Sequence, residues 1–329
     1  MSNNQVSVIG AGAFGAALAL AFARAGRDVT LWGRDAARMA AMAESREVGE
    51  ALTGAVLDAA ITPTADLAKA AGAGVIVLAI PTQALRQACE ALAPVLATPR
   101  AVISAAKGIE RGSGEFVTEI MAGTLGAHRF GVLSGPSFAA DLAKGLPTAI
   151  SLAMPDALEA EALALFLSSP SFRLYHTNDV RGVEIGGAAK NVLAIAAGIV
   201  AGMGLGDSAR AAMITRGFAE LQRYAAAFGA RAETLMGLSG LGDLVLTASS
   251  AQSRNYSLGL ALGAGKTPGA ANPSGKLAEG AFTAAILAAT SRKRGVEMPI
   301  VEAVAAVLDG AISVREAVTS LMARPLRGE

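Results

Sequence analysis

Short runs of β-branched and aliphatic residues alternate with Ala- and Leu-rich stretches of helical spacing through the first half of the chain. Val6-Ser7-Val8-Ile9 is a β-rich run that ends at Gly10, and Ala16 to Ala25 follows with strong helix formers until Gly26 interrupts them. Val29-Thr30-Leu31-Trp32 reads as a second strand. Further apolar runs at Val75 to Ile80, Ala101 to Ser104, Phe130 to Leu133 and Ala149 to Ala153 are separated by helix-like segments, and Phe172 to Tyr175 adds an edge strand. This alternation predicts an α/β fold built on a mostly parallel, doubly wound sheet. Beyond Asp179 the strand signals stop, and Ala, Leu and Met recur at helical spacing to Leu321, which predicts an all-helical C-terminal domain. The boundary falls near Gly186 and divides the chain into 1–185 and 186–329. No repeat of fixed period is present, and the Gly-, Pro- and Ser-rich stretch Gly263 to Gly275 reads as an interhelical loop.

Length agrees with two domains, since 329 residues suffice for two cores. Lys and Arg number 28 against 27 Asp and Glu, a balance with no footprint for a polyanion, so nucleic acid is not expected as a partner. Cys89 is the single cysteine, and Met1 to Gln5 carries no basic stretch ahead of an apolar one, so a cytoplasmic protein is expected. Hydrophobic residues make up 53%, which makes a membrane span worth testing. The longest candidate, Val192 to Gly206, is too short to cross a bilayer and follows Lys190 and Asn191 directly, so it reads as a buried core helix and no span is expected. Only 4% of residues are aromatic while 38 are Gly, which disfavours stacking platforms and favours tight turns and close backbone approaches.

The first such turn carries chemistry. Gly10-Ala11-Gly12-Ala13-Phe14-Gly15 matches G-x-G-x-x-G, directly after the first strand and opening the first helix, where a dinucleotide-binding Rossmann unit needs it. Gly10 permits the tight turn, Gly12 lets the backbone approach a pyrophosphate, and Gly15 allows close packing of helix on strand. An NAD-specific site usually carries an acid at the end of the second strand. Here the stretch reads Trp32-Gly33-Arg34-Asp35, and a guanidinium at Arg34 suits the 2′-phosphate of NADPH, while Asp35 leaves NADH use open. Two other glycine-rich stretches are not phosphate loops. Gly259 to Thr267 has one residue too many before its Gly-Lys-Thr and follows no strand, and Gly275-Lys276-Leu277 lacks the magnesium-binding hydroxyl.

Four polar clusters stand in otherwise apolar surroundings: Lys107-Gly108, Ser134 to Ala139, Lys190-Asn191, and Ser253-Arg254-Asn255. Their chemistry suits one small anionic carbonyl substrate. Together with Gly240-Leu241-Gly242-Asp243-Leu244, Gly145 to Ala149, Gly186 to Asn191, Gln252 to Asn255 and Gly295 to Pro299, they closely resemble the bacterial NAD(P)-dependent glycerol-3-phosphate dehydrogenases. The blocks occur in that family's order and spacing, and the resemblance covers essentially the whole chain. It implies reversible reduction of dihydroxyacetone phosphate to sn-glycerol 3-phosphate, the backbone precursor of phospholipids.

By the resemblance, Lys190 is the catalytic lysine, Lys107 holds the substrate and polarises its oxygen, and Asp243 hydrogen-bonds the substrate or orients Lys190. Hydride transfer to a carbonyl carbon leaves an alkoxide that needs a positioned acid, and burial beside a second cation, Lys107, would lower the pKa of Lys190 as that role requires. Arg254, with Ser253 and Asn255, supplies donors to the phosphate, and Gly135 and Ser137 add contacts to the substrate. Ala13, Phe14, Arg34, Lys107 and Ala139 fall on cofactor-contacting positions, as do Arg254, Leu277 and Glu279 nearer the nicotinamide. Read without their neighbours, Lys190 is a solvated helix end, Asp243 a helix N-cap, and Ser253 and Asn255 turn residues. His128 and His176 match no functional position and no metal is expected; Cys89 reads as a small apolar filler. The aromatic-free stretch Glu47 to Ile61 departs from the family pattern, as does Thr267 to Lys276, which leaves the register of Leu277 and Glu279 open by a residue or two. Other readings are a ketopantoate-reductase-like hydroxyacid dehydrogenase, against which the Gln252 to Asn255 block and the paired lysines argue, and a non-catalytic NADP(H) sensor. A homodimer is compatible with the apolar helical half, although the sequence identifies no interface.

Overall fold

A computed structural model describes residues 4–271 and 278–325. The chain divides into two compact units, Met1–Lys107 with Glu115–Glu184, and Gly108–Gly114 with Ile185–Glu329. The first unit holds β1 (Gln5–Ile9), β2 (Asp28–Trp32), β3 (Ile61–Thr64), β4 (Val75–Leu78), β5 (Ala101–Ser104), β6 (Arg129–Ser134), β7 (Thr148–Ala153) and β8 (Phe172–Thr177). Its helices are α1 (Ala13–Arg24), α2 (Ala36–Ser45), α3 (Leu67–Ala70), α4 (Thr82–Leu92), α5 (Val117–Leu125), α6 (Ala139–Ala143) and α7 (Ala157–Leu167).

All eight strands form one sheet in the order β3-β2-β1-β4-β5-β6-β7-β8. Neighbours pair in parallel except β6 with β7, so the last two strands run against the other six. Successive side chains of a strand point to opposite faces, and both faces here are covered. Val6, Val8, Val75, Val77 and Ile103 enter one core with α1 and α7, while Ile9, Ile76, Leu78 and Val102 enter a second with α4 and α5. That double burial explains why β4 reads as an unbroken Val-Ile-Val-Leu run. Residues Ala16 to Phe22 of α1 are buried, and their small side chains let this helix lie close to the sheet.

Two expectations need correction. β3 reads Ile-Thr-Pro-Thr, and its polar residues and Pro63 gave no strand signal; a proline is tolerated because β3 pairs only with β2, at the sheet edge. The apolar candidate at Val192 to Gly206 lies, up to Gly202, in α8 (Val180–Gly202), a 23-residue helix long and apolar enough to cross a membrane by length and composition. Length therefore does not exclude a span, but 89% of its most apolar window is buried inside the protein.

The division between the units falls within α8. The second unit continues with α9 (Asp207–Ala226), α10 (Ala232–Met236), a π-helical turn at Leu238–Gly242, α11 (Asp243–Thr247), α12 (Arg254–Gly263), α13 (Pro268–Ala271), α14 (Glu279–Lys293), α15 (Pro299–Leu308) and α16 (Val314–Met322). Among the described residues it contains no strand. Helix α15 starts with Pro299, and its next amides, of Ile300 and Val301, donate to the buried Glu220 carboxylate of α9 at 2.9 to 3.3 Å. Burial pushes the Glu220 carboxyl up to about 7, against the lowering effect of those amides and of Arg223 and Arg324.

Candidate functional site

The turn between β1 and α1 is built from backbone. Gly10 has φ +118° and donates its N–H to the Trp32 carbonyl at 2.9 Å; a Cβ there would lie 2.5 Å from the Ala79 carbonyl oxygen. A Cβ on Gly15 would meet the Gly10 carbonyl at 1.8 Å, so helix and turn touch at a distance only glycine permits. Gly12 differs: it is exposed, and a Cβ there would meet nothing within 4 Å. It is also the N-cap of α1 and supplies no side-chain hydrogen bond, so the first-turn amides at Ala13 and Phe14 keep their donors for another acceptor. An open backbone cradle at the positive end of a buried helix fits a pyrophosphate. Arg34 lies exposed just past β2, and Arg38 donates to the Ala11 carbonyl of the turn at 2.8 Å. The Asp35 carboxylate caps α2 by accepting the Arg38 N–H at 3.0 Å, so it is engaged in local structure.

Further along the same unit, Lys107 and Ser137 converge on one atom. The Lys107 ammonium donates to the Gly135 carbonyl at 2.8 Å and the Ser137 hydroxyl donates to it at 3.1 Å. Gly135 has φ +155°, and a Cβ would press on Ile150 at 2.8 Å. Ala139 begins α6 directly afterwards, behind an N-cap at Phe138 that offers no side-chain acceptor.

The second unit gathers a different set. Lys190 in α8 is 5% exposed and donates to Asp243 Oδ1 at 2.5 Å and to Thr247 Oγ1 at 2.7 Å. The Thr247 hydroxyl in turn donates to the same Asp243 oxygen at 3.1 Å, which closes a triangle of three buried groups. Lys190 Nζ thus has two fixed, buried partners. Asp243 is the first residue of α11, and Thr247 stands one turn later on the same face. The π-helical turn ahead of them fits against α8 because Gly186, one turn before Lys190, has no side chain: a Cβ would lie 2.9 Å from the Ser239 carbonyl. Inserted π turns of this kind recur at functional sites.

Of the predicted phosphate donors, Ser253 and Asn255 are buried and engaged internally. Ser253 Oγ caps α12 by accepting the Tyr256 N–H at 3.2 Å. Asn255 donates to Asn191 Oδ1 at 2.9 Å and accepts the Gly280 N–H at 3.1 Å. Arg254 is the exposed first residue of α12 and Glu279 the first of α14. Leu277 lies outside the described residues. Thr247 went unremarked in the sequence, although its spacing of four from Asp243 on a helix was a usable signal.

Comparison with known proteins agrees over both units. Residues 5–160 match the family model for the NAD-dependent glycerol-3-phosphate dehydrogenase N-terminus, and residues 179–319 match that for its C-terminus. A glycerol-3-phosphate dehydrogenase [NAD(P)+] of Azorhizobium caulinodans is 58% identical over 327 residues, covering 99% of this chain and 98% of its own. Another, of Methylobacterium radiotolerans, is 58% identical over 329 residues, covering 100% of this chain and 99% of its own. The crystal structure of a glycerol-3-phosphate dehydrogenase from Coxiella burnetii superposes with a TM-score of 0.92 at 36% identity, covering 98% of this chain and 99% of that one.

Proposed function

The chain belongs to the NAD-dependent glycerol-3-phosphate dehydrogenase family, and from that premise we propose that it reversibly reduces dihydroxyacetone phosphate to sn-glycerol 3-phosphate for phospholipid synthesis. The first unit binds the dinucleotide and the second carries the proton chemistry. NADPH is the preferred donor and NADH the second, because Arg34 adds a cation where a 2′-phosphate would sit while Asp35 is engaged as a helix cap. The reading places the reaction in the cytoplasm, where both cofactors are free.

When bound, the nicotinamide supplies the hydride. The amides of Gly12, Ala13, Phe14 and Gly15 would receive the pyrophosphate while Gly10 makes the tight turn, and Ala139 and Glu279 are further positions that would contact the cofactor. As hydride reaches C2 of the ketone, its oxygen gains charge and takes a proton from the Lys190 ammonium, leaving a neutral amine that solvent reprotonates. Asp243 and Thr247 hold Nζ in one place and stabilise the charged form between turnovers. Lys107, with Gly135 and Ser137, orients and polarises the substrate. Arg254 and the amides at the start of α12 take its phosphate, with Ser253 shaping that turn. In the reverse direction the neutral lysine accepts the hydroxyl proton.

The observation that carries this reading is the buried Lys190–Asp243–Thr247 triangle: an ammonium with two fixed partners is a proton donor set in place before substrate arrives. Nicotinamide absorbance tests it. NADPH should be oxidised rapidly with dihydroxyacetone phosphate and not with ketopantoate or small 2-oxo acids; turnover of an oxo acid in place of the phosphate ester would refute it.

A further inference from the structure

Helix α5 lacks an acceptor of its own where it begins. Its N-cap is Phe116, whose ring accepts no hydrogen bond from the backbone, so the first-turn N–H groups need partners from elsewhere. Glu119 folds back to accept the Phe116 N–H at 2.8 Å. The Thr118 N–H goes to another helix: Glu184 Oε1 of α8 accepts it at 2.9 Å and also accepts the Thr118 hydroxyl at 2.7 Å. Glu184 is 5% exposed, and its second oxygen faces Arg181 Nη1 at 3.6 Å. Arg181 completes the joint, since its guanidinium lies 3.9 Å from the centre of the Phe116 ring and donates to Glu119 Oε1 at 2.7 Å. All five residues belong to the first unit, of which Glu184 is the last residue.

We propose that Glu184 is a positioning residue for Lys190: it caps α5 from α8 and so fixes the helix that carries the lysine. The inference rests on the proposed reaction and adds to it. Six positions separate the two residues on one unbroken helix, a rise of about 9 Å and roughly one and two-thirds turns, so Glu184 leaves the helix on a different side from Lys190 and acts through the backbone. A carboxylate oxygen that takes a backbone N–H and a hydroxyl together makes a charge-assisted, directional joint, which sets the rotation of α8 about its axis as well as its position. No slack lies between joint and lysine. Residues 185–190 are buried helix, and a Cβ on Gly186 would already lie 2.9 Å from the Ser239 carbonyl.

Turnover of dihydroxyacetone phosphate per cofactor site, with sites counted by fluorescence titration with NADPH, separates positioning from stability in the intact chain. Loss of folded protein lowers the number of sites, whereas a displaced lysine lowers turnover at each one. Glu184→Ala should reduce turnover per site about 10- to 100-fold with NADPH affinity unchanged, since about an ångström of misplacement costs that much. Glu184→Gln, which keeps an acceptor for Thr118, should stay within about fivefold of wild type. In a Lys190→Ala background, adding Glu184→Ala should change the single-turnover rate by less than about threefold, because the group it positions is gone. Leu92→Ala, which truncates a buried side chain of α4 in the core shared with α5, should lower Tm and leave turnover per site unchanged. If Glu184→Ala does not fold, Glu184→Leu, which fills the volume without an acceptor, takes its place. Full turnover per site in the apolar variant, turnover in Glu184→Gln as low as in that variant, or an equal further loss in the Lys190→Ala background would overturn the positioning role. A wild type inert with dihydroxyacetone phosphate would overturn the proposed reaction and this role with it, whereas an active wild type confines any failure to Glu184.

Discussion

The glycine turn of the first unit and the lysine triangle of the second solve opposite problems. The turn is built by absence: Gly10 and Gly15 let backbone meet backbone, and Gly12 leaves open space at a helix end. The triangle works by presence, with three side chains from two helices closing on one another in a buried volume. A site made of backbone is contiguous in sequence and tolerates no added atoms. One made of side chains is scattered in sequence and fails when atoms are removed.

Removing atoms from the triangle should have the largest effect. Lys190→Ala is expected to lower kcat by about 10²- to 10⁴-fold, the usual contribution of a positioned acid, with cofactor affinity by fluorescence titration unchanged. Adding atoms to the turn should divide by position. Gly15→Ala drives a methyl into the Gly10 carbonyl and should cost about 2–4 kcal/mol of stability by chemical denaturation. Gly12→Ala should leave stability alone and weaken NADPH binding roughly tenfold by crowding the anion cradle.

A pH effect sharpens the contrast, because the helical unit relies on buried polar groups away from the triangle as well. The Glu220 carboxyl, raised to about 7 in the folded chain, binds its proton more tightly there than in the unfolded chain. The stability this provides is full below about pH 4.5 and is lost as pH rises through 7, on the order of 3 kcal/mol in all. The difference in Tm between wild type and Glu220→Gln, followed across that window, should show the loss in the wild type only. The smallest effect belongs to the rim of the turn: Arg34→Ala should reduce the NADPH to NADH preference about three- to fivefold by specificity-constant ratio, since an exposed cation contributes modestly.

The same contrast explains what the sequence made legible. The turn was readable as a hexapeptide with a strand before it and a helix after it, because its chemistry lies in neighbouring residues. Central strands announced themselves by apolar runs that follow from burial on both faces, whereas edge strand β3, with Pro63 and two threonines, has a single neighbour and needs no such run. Helix α8 was readable as helix beyond Asp179, but its apolar span only from Val192 on, since its first turns carry Arg181, Glu184 and Lys190. Lys190 and Asp243 lie 53 positions apart, so no local pattern links them, and only the family resemblance brought them together. Asn255 was named with Ser253 and Arg254 from one contiguous polar cluster, whereas its two side-chain partners come from helices far away in the chain and left no local signal.

The central claim is that Lys190 gives the proton, and chemical rescue tests it most directly. Single-turnover reduction of dihydroxyacetone phosphate by Lys190→Ala with saturating NADPH would be followed with and without small primary amines. The account predicts a very slow reaction that added amine accelerates, by a factor that tracks the amine's acidity. Turnover within about tenfold of wild type in the absence of amine would contradict it.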